Sequence, residues 1–509
     1  MITLLIDGKP QAINDGARLT DILPGRDQAC SVAIIRPGAR ESAVTGSMRL
    51  DTTAGEVVVD LNPDGRKLFD TPHLELPIEI HWQDRYAAAF GPFPSSFTPA
   101  RAPALYERGD VILGCGGYDP GRSYLIFSRS RHTSDLGAPA GGGVIGQVVS
   151  GRGIIDRWGT GDQIRTAAPI VSWADTSRSF TTNDPDLLLE DGMEIISFLR
   201  ITSQGYSGNH IADISAAESV EHMLLALADG HFMVERSAST HIRDNRKAGT
   251  DVQYEVKLPR REGAVTMRTS GRSRGALFIY IQDLPGSTTH TITGQVTHGL
   301  ELARLAKEGE ILCVQVDPPR FDLIGVPVER ALEIASSRGV RVKGNIEDSS
   351  LVVVEQEPPT TLQSLFSKEV TVGVVSLEQV IDIELDDKAA PDSCDIFRRL
   401  TGLHLHDVGR IPFFFTFDDV FLFKPKIPKG VNINPENTPI DHVSAGILAI
   451  TNDSRKSAGL VGVRTTDNSE FGPTSEPFES TNIIGKVRDL DKLPLLKEKE
   501  IVFIREVKS

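Results

Sequence analysis

Apolar residues in this chain come in short runs of strand length, bounded by Gly, Ser, Asn or Asp, and the runs recur in a fixed order. One set reads Gly109–Leu113, then Gly121–Phe127, then Val144–Val148. A second reads Gly263–Met267, then Arg274–Tyr280, then Ile292–Val296, and a third reads Gly446–Ile450, then Ser457–Val463, then Ile483–Val487. Each set closes on a strand carrying Gly-Gln-Val or Gly-Lys-Val, centred on Gly146, Gly294 and Gly485. Each is followed by Leu or Ile residues and an acidic turn at Gly161-Asp162, Gly309-Glu310 or Lys499-Glu500. A repeated order of this kind implies three related β domains. The strand glycines predict a bend or a close backbone approach at equivalent places in all three.

The segments ahead of each set differ. Val380–Leu385 alternates like a strand, and after a turn ending at Pro391 the residues Asp392–Leu400 read as a helix with Cys394, Phe397 and Leu400 on one face. Asp392 or Ser393 is the expected N-cap, and Gly402 follows the end. Met193–Ile201 and Ser215–Leu227 form a similar strand and helix ahead of the second set, whereas the first set has a shorter lead-in from about Leu76. Residues 1–60 start as strand, turn and return strand, and then enter a short helix at Asp15–Leu23. Within 322–365, Val328–Arg338 is an amphipathic helix stopped by Gly339, followed by strands at Val340–Val342 and Leu351–Val354.

Composition narrows the classes. Hydrophobic residues are 39% and charged residues 24%, enough for packed cores, while 46 Gly, 30 Pro and only 6% aromatics suit turns and short strands. A net charge of −15 argues against nucleic acid or an anionic membrane as partner, since both call for a cationic face. No apolar run approaches the about 18 residues of a membrane span, and the first residues lack a secretory pattern. Cys30, Cys115, Cys313 and Cys394 are isolated, none in a CxxC pair, and read as buried small hydrophobes of a reducing, cytoplasmic protein. His404 and His406 have metal-ligand spacing on an expected strand, but no further ligand cluster accompanies them. Gly141-Gly142-Gly143 lacks the Lys-Ser/Thr of a phosphate loop. No metal or cofactor is expected.

The order of strand, acidic turn, helix, Gly446–Asn452 and Ile483–Val487 resembles the cyclophilin-type prolyl isomerases over about 370–509. Residues 1–60 resemble ubiquitin-like β-grasp domains of the sulfur-carrier type; carrier chemistry needs a free C-terminal Gly-Gly, so only the fold carries over. Residues 322–365, with Gln356-Glu-Pro-Pro359, resemble the PASTA module. Together these resemblances imply a multidomain, β-rich α+β chain. Its expected parts are a β-grasp-like domain at 1–72, an abbreviated cyclophilin-like barrel at 73–170, a barrel at 171–320, a PASTA-like module at 321–368 and a barrel at 369–509.

Prolyl isomerisation crosses a barrier of about 20 kcal/mol set by amide resonance. Cyclophilins lower it with an arginine that donates to the prolyl nitrogen in an aromatic groove. Here Arg410-Ile-Pro412 is the local echo of that arginine segment. The Phe-Phe strand of the groove is replaced by Leu460–Val463, Ala276–Ile279 or Tyr124–Phe127, and the Gln-rich strand survives only as Phe417–Phe423. The barrels are therefore expected to be inactive scaffolds, with Arg410 as the candidate catalytic residue if activity remains.

Over nearly its full length, and in long motifs at Pro425–Pro439, Thr451–Arg464 and Phe471–Gly485, the chain resembles the methanogenesis marker protein 3 family. That resemblance implies a scaffold or assembly factor in the assembly or reductive activation of methyl-coenzyme M reductase, with that enzyme and its activation factors as protein partners. The alternative is an active prolyl isomerase acting as a folding factor. Ser454–Arg464 and Asn468–Ser480 are expected to be largely loop and to form a partner surface, with Phe471 and Phe478 as anchors and Arg455, Lys456 and Arg464 as rim charges.

Overall fold

The structure is a computed structural model that describes all residues except 37–46, 70–73, 170–178, 208–209, 429–430, 455–457 and 509. The chain divides into two compact units, Met1–Arg320 and Phe321–Ser509.

In the first unit, a closed eight-stranded barrel runs in the order Ser123–Ser128, Ala87–Phe93, Ile78–Gln83, Gln163–Pro169, Ser47–Thr52, Gly55–Leu61, Val144–Ser150 and Asp110–Cys115. Its core gathers Leu50, Val57, Phe90, Phe127 and Trp158, with the Trp158 ring edge-on to Phe90 and Phe127 at 4.8 Å each. This barrel is complete, not abbreviated. Its missing lead-in is the hairpin Ser47–Thr52/Gly55–Leu61, so the expected boundary at 72 cuts away two barrel strands.

The N-terminal hairpin Ile2–Ile6/Lys9–Ile13 lies parallel to Glu194–Ile196, which pairs antiparallel with Cys30–Ile35. Phe180–Thr182 pairs with the other edge of Cys30–Ile35. Residues assigned from sequence to the middle barrel thus complete the N-terminal sheet, and the expected boundary at 171 moves accordingly. That sheet is continuous with the middle barrel through the parallel pair Cys30↔Ile311.

The middle barrel follows the ladder Leu199–Ser203, His290–His298, Ala264–Arg268, Leu277–Tyr280, His241–Asp244 and Arg236–Ala238. Ile311–Asp317 joins the ring, pairing parallel with Leu199–Ser203 and antiparallel with His231–Met233. The strand pairing is broken at Val234 and Glu235, so this ring is not a closed ladder.

The second unit holds a three-stranded sheet with Glu369–Val375 between Arg341–Lys343 and Val352–Glu357, packed with helices Val328–Ser337 and Thr361–Ser367. Glu369–Val375 belongs to this sheet, so the expected boundary at 368 falls one strand early. A closed seven-stranded barrel follows in the order Val380–Leu385, Thr481–Val487, Ile447–Thr451, Val461–Arg464, Val420–Phe423, Val408–Phe417 and Ile501–Glu506. Its core is built on Phe397, Ile411, Phe413, Phe423, Ile450 and Ile504.

The strand glycines are equivalent in all three barrels. Each sits at a register shift, with Gly146 opposite Leu61 and Val111, Gly294 opposite Ser203 and Val265, and Gly485 opposite Leu385 and Leu448. A Cβ on any of them would press on the carbonyl of Asp60, Thr202 or Glu384, at 2.5, 2.9 and 2.0 Å respectively. Only glycine lets the neighbouring strand come that close.

The helix read at Asp392–Leu400 spans Pro391–Thr401 and ends on Gly402 at φ +86°, as the pattern indicates. Its N-terminus is not capped by Asp392 or Ser393. The Glu436 carboxylate does this instead, accepting from the backbone N–H of Asp392 (3.3 Å) and Ser393 (2.8 Å). Glu255 does the same for Glu218 (3.3 Å) and Ser219 (2.7 Å) of helix Ala217–Ala226 in the middle barrel.

Candidate functional surface on the C-terminal barrel

The strand Val408–Phe417 carries the arginine segment. Pleat alternation sends Ile411 and Phe413 into the barrel, where the Phe413 ring meets Phe423 at 5.4 Å and Phe421 at 6.3 Å. The same alternation turns Arg410 and Phe414 outward. The Arg410 side chain is 68% exposed, and its nearest acidic partner is the exposed Glu355 at 3.8 Å. Such a pair contributes little, because solvent screens it.

Beyond Arg410 the strand becomes an exposed aromatic ridge. Phe414 is 40% and Phe417 39% exposed, and Phe415 lies between them, 4.7 Å from the Phe414 ring and 5.8 Å from the Phe417 ring. Lys424 lies 4.9 Å over the Phe414 ring. The ridge ends in a tight turn at Asp418, which adopts φ +49°.

Arg464 ties this hairpin tip to the next loop. Its guanidinium donates to both Asp419 carboxylate oxygens (3.0 and 3.2 Å), to the Gly472 carbonyl (3.2 Å) and to Ser475 Oγ (3.1 Å). Burial works against the charge on Asp419, but hydrogen bonds from Thr466 and Arg464 outweigh it and hold this carboxyl below the usual range. The Arg464 side chain is only 9% exposed, so it is a clamp inside the barrel end and not the rim charge expected from sequence. A charge pattern does not reveal which arginine will find a carboxylate on a neighbouring strand.

Phe471, on the loop held by Arg464, is 43% exposed. Phe478 is half-buried at the start of the short turn Phe478–Ser480. Arg455 and Lys456 lie outside the described residues. His404 and His406 occupy a turn, not a strand, and do not converge: Nδ1 of His404 is 3.1 Å from the Arg398 carbonyl oxygen, and Nδ1 of His406 is 2.8 Å from Asp322 Oδ2. Sequence reasoning also passed over Arg398. Its guanidinium bridges Asp387 (2.7 Å to each oxygen) and Glu506 (2.6 and 2.8 Å), tying the helix to the turn before it and to the last strand.

A cavity of about 270 Å³ opens beside the helix N-terminus, lined by Asp392, Asp395, Asn432, Asn434, Glu436 and Ile396 among others. Its walls are mainly polar, whereas a prolyl ring needs an apolar groove. The backbone N–H groups that would attract an anion there are already taken by Glu436.

Residues 381–507 match a family model described as "Putative peptidyl-prolyl cis-trans isomerase domain". Along its full length the chain is similar to a UPF0288 protein of Methanosarcina barkeri, 35% identical over 99% of this chain and 98% of that one. A UPF0288 protein of Methanothermobacter thermautotrophicus is 30% identical over 99% of this chain and 97% of its own. Among solved structures, cyclophilin AquaCyp293 from Hirschia baltica is similar at 12% identity, covering 28% of this chain and 82% of that one with a TM-score of 0.20.

Proposed function

Since the chain belongs to the UPF0288 family, with relatives throughout the methanogens, we propose that it is a non-catalytic, cytoplasmic scaffold that works through protein contacts in the assembly or reductive activation of methyl-coenzyme M reductase. The observation that carries the non-catalytic part is the outward, solvent-paired Arg410: it has Glu355 for company and an exposed ridge of phenylalanines beyond it, not a closed aromatic groove. Without a groove to exclude water, a hydrogen bond to a twisted prolyl nitrogen loses most of its value. The contact surface in this reading is the barrel end where Arg464 locks the Phe414–Phe417 ridge to the Phe471 loop. Exposed aromatics on rigid elements are the usual anchors of a protein interface.

The test is native co-purification from a methanogen expressing the tagged chain. Wild type is expected to bring down methyl-coenzyme M reductase or its activation factors, and the Phe417→Ala/Phe471→Ala pair to lose them at an unchanged melting temperature. Retained partners, or capture of a broad set of nascent chains, would overturn it.

A second reading is an active prolyl isomerase, favoured by the family model matched over 381–507 and by Arg410-Ile-Pro412. It requires accelerated cis–trans exchange of a proline peptide that disappears with Arg410→Ala.

A further inference from the structure

Cys30, His231 and Cys313 are far apart in the chain but meet on three adjacent strands. His231 pairs with Cys313 in the antiparallel ladder between His231–Met233 and Ile311–Asp317. On the other side of Ile311–Asp317, Cys30 pairs with Ile311 in the parallel ladder. Ile311 and Cys313 are two residues apart, so the pleat turns both, with their ladder partners, to one face. The two sulfurs and a ring nitrogen of His231 all lie within 4.8 Å of one another, and neither cysteine is in a disulfide.

We propose that Cys30, Cys313 and His231 form a binding site for a borderline-soft divalent cation of the zinc class. Two thiolates and one neutral imidazole are a donor set for such a cation, whereas calcium and magnesium need oxygen ligands. A tetrahedral ion with bonds of about 2.3 Å to sulfur and about 2.0 Å to nitrogen spaces its donors about 3.5–3.8 Å apart, so a contraction of about 1 Å completes the set. The imidazole is already oriented: His231 Nε2 is 2.9 Å from Asp27 Oδ2, the carboxylate–histidine arrangement that supports metal-bound imidazoles.

The charges are compatible. Two thiolates neutralise a divalent ion, and the Arg26 guanidinium, donating to the Cys30 carbonyl at 2.8 Å, offsets the nearby Asp27. Cys30 is buried, but Cys313 and His231 are partly exposed, so solvent and an incoming ion reach the cluster. Water would supply the fourth donor.

The experiment uses the full chain, purified reduced and without oxygen, stripped with a chelator and titrated with cobalt(II). One equivalent is expected to bind, with sulfur-to-cobalt charge-transfer bands in the near ultraviolet and visible bands of tetrahedral intensity, both erased by added zinc. Cys313→Ser is expected to reduce the charge-transfer intensity, and Asp27→Asn to weaken affinity by about 10–100-fold with the bands retained. Cys115→Ser, a buried thiol elsewhere, should change neither. Because Cys30 is fully buried, Cys30→Ser is informative only with unchanged circular dichroism, and Cys313→Ser carries the test if it misfolds. Absence of stoichiometric binding would overturn the proposal, as would bands without sulfur character or bands that keep their full intensity in Cys313→Ser. So would a Cys30–Cys313 disulfide whose reduced form takes no cobalt.

Discussion

The middle and C-terminal barrels are two settings of one plan. Both begin with a strand that presses a carbonyl against a bulged glycine, Gly294 or Gly485, and both continue into a helix whose first N–H groups are held by a distant glutamate, Glu255 or Glu436. Both end with a strand parallel to the first, Ile311–Asp317 or Ile501–Glu506. They part at the strand that follows the helix. In the C-terminal barrel Val408–Phe417 pairs without a break along Ile501–Glu506 and closes the ring. In the middle barrel the equivalent stretch, His231–Ala238, is interrupted at Val234 and Glu235, and the start of Ile311–Asp317 takes a further partner, Cys30–Ile35. The closed barrel displays an aromatic ridge. The interrupted one joins the N-terminal sheet and gathers two thiols and an imidazole at the join.

The cores differ in the same sense. The C-terminal interior is phenylalanine-rich, whereas the middle barrel buries Thr266, His290, Thr291, Thr293 and Gln295. The first unit also buries charge. Arg49 and Glu194 form an ion pair with both side chains under 7% exposed, linking the first barrel to the N-terminal sheet. His298 stands between Glu56 Oε1 (2.9 Å) and Asp7 Oδ1 (3.5 Å).

Breaking that pair should produce the largest asymmetry between the units. Glu194→Ala leaves the Arg49 charge buried without its partner, a loss of about 3–5 kcal/mol. Hydrogen exchange should report it across Met1–Arg320 while amides of the C-terminal barrel keep their protection. Equal loss in both units would show that they unfold as one.

The next effect is pH-dependent. Burial alone would lower the His298 pKa, but hydrogen bonds and charge from Asp7 and Glu56 raise it to about 9 from 6.5. Its stabilisation is therefore fully present below pH 6.5 and disappears as pH rises through about 9, a loss of roughly 3 kcal/mol. Melting curves of the first unit should fall between pH 7 and 10 and flatten with His298→Gln. Glu301 works in a lower window. Burial raises its pKa to about 7, so its effect is a decline in stability as pH climbs from 4.5 towards 7.

Smaller and symmetric effects are expected from Glu255→Ala and Glu436→Ala. Each exposes the N–H groups at one helix start and should cost about 1 kcal/mol in denaturant titrations. A large cost at one site alone would mean that the two carboxylates do different work. The smallest effect is Arg410→Ala, within about 0.5 kcal/mol because the side chain is solvated, with proline-peptide exchange left at background.

Local patterning identified much of this fold. The strand runs, the three glycines and the helix before Gly402 were legible because each depends on neighbours in the chain: alternation, a periodic apolar face, or a backbone that only glycine allows. The aromatic ridge was not among the expected features, because alternation alone does not say that Phe413 is core and Phe414 and Phe417 surface. Other features depend on which strand lies beside which. Ser47–Leu61 belongs to the first barrel because Ser47–Thr52 inserts between Gly55–Leu61 and Gln163–Pro169, and Glu194–Ile196 leaves the middle barrel for the N-terminal sheet. Arg464 became a clamp only when the strand Val420–Phe423 put Asp419 beside it. Cys30 and Cys313 looked like isolated thiols because ladder register, not spacing in the sequence, brings them and His231 together. Hydrophobic periodicity determined which segments became strands and which side they bury. Only the tertiary pairing of distant edges decided where each barrel closes and which polar groups share a face, because a ladder hydrogen bond carries no memory of the separation between its partners in the chain.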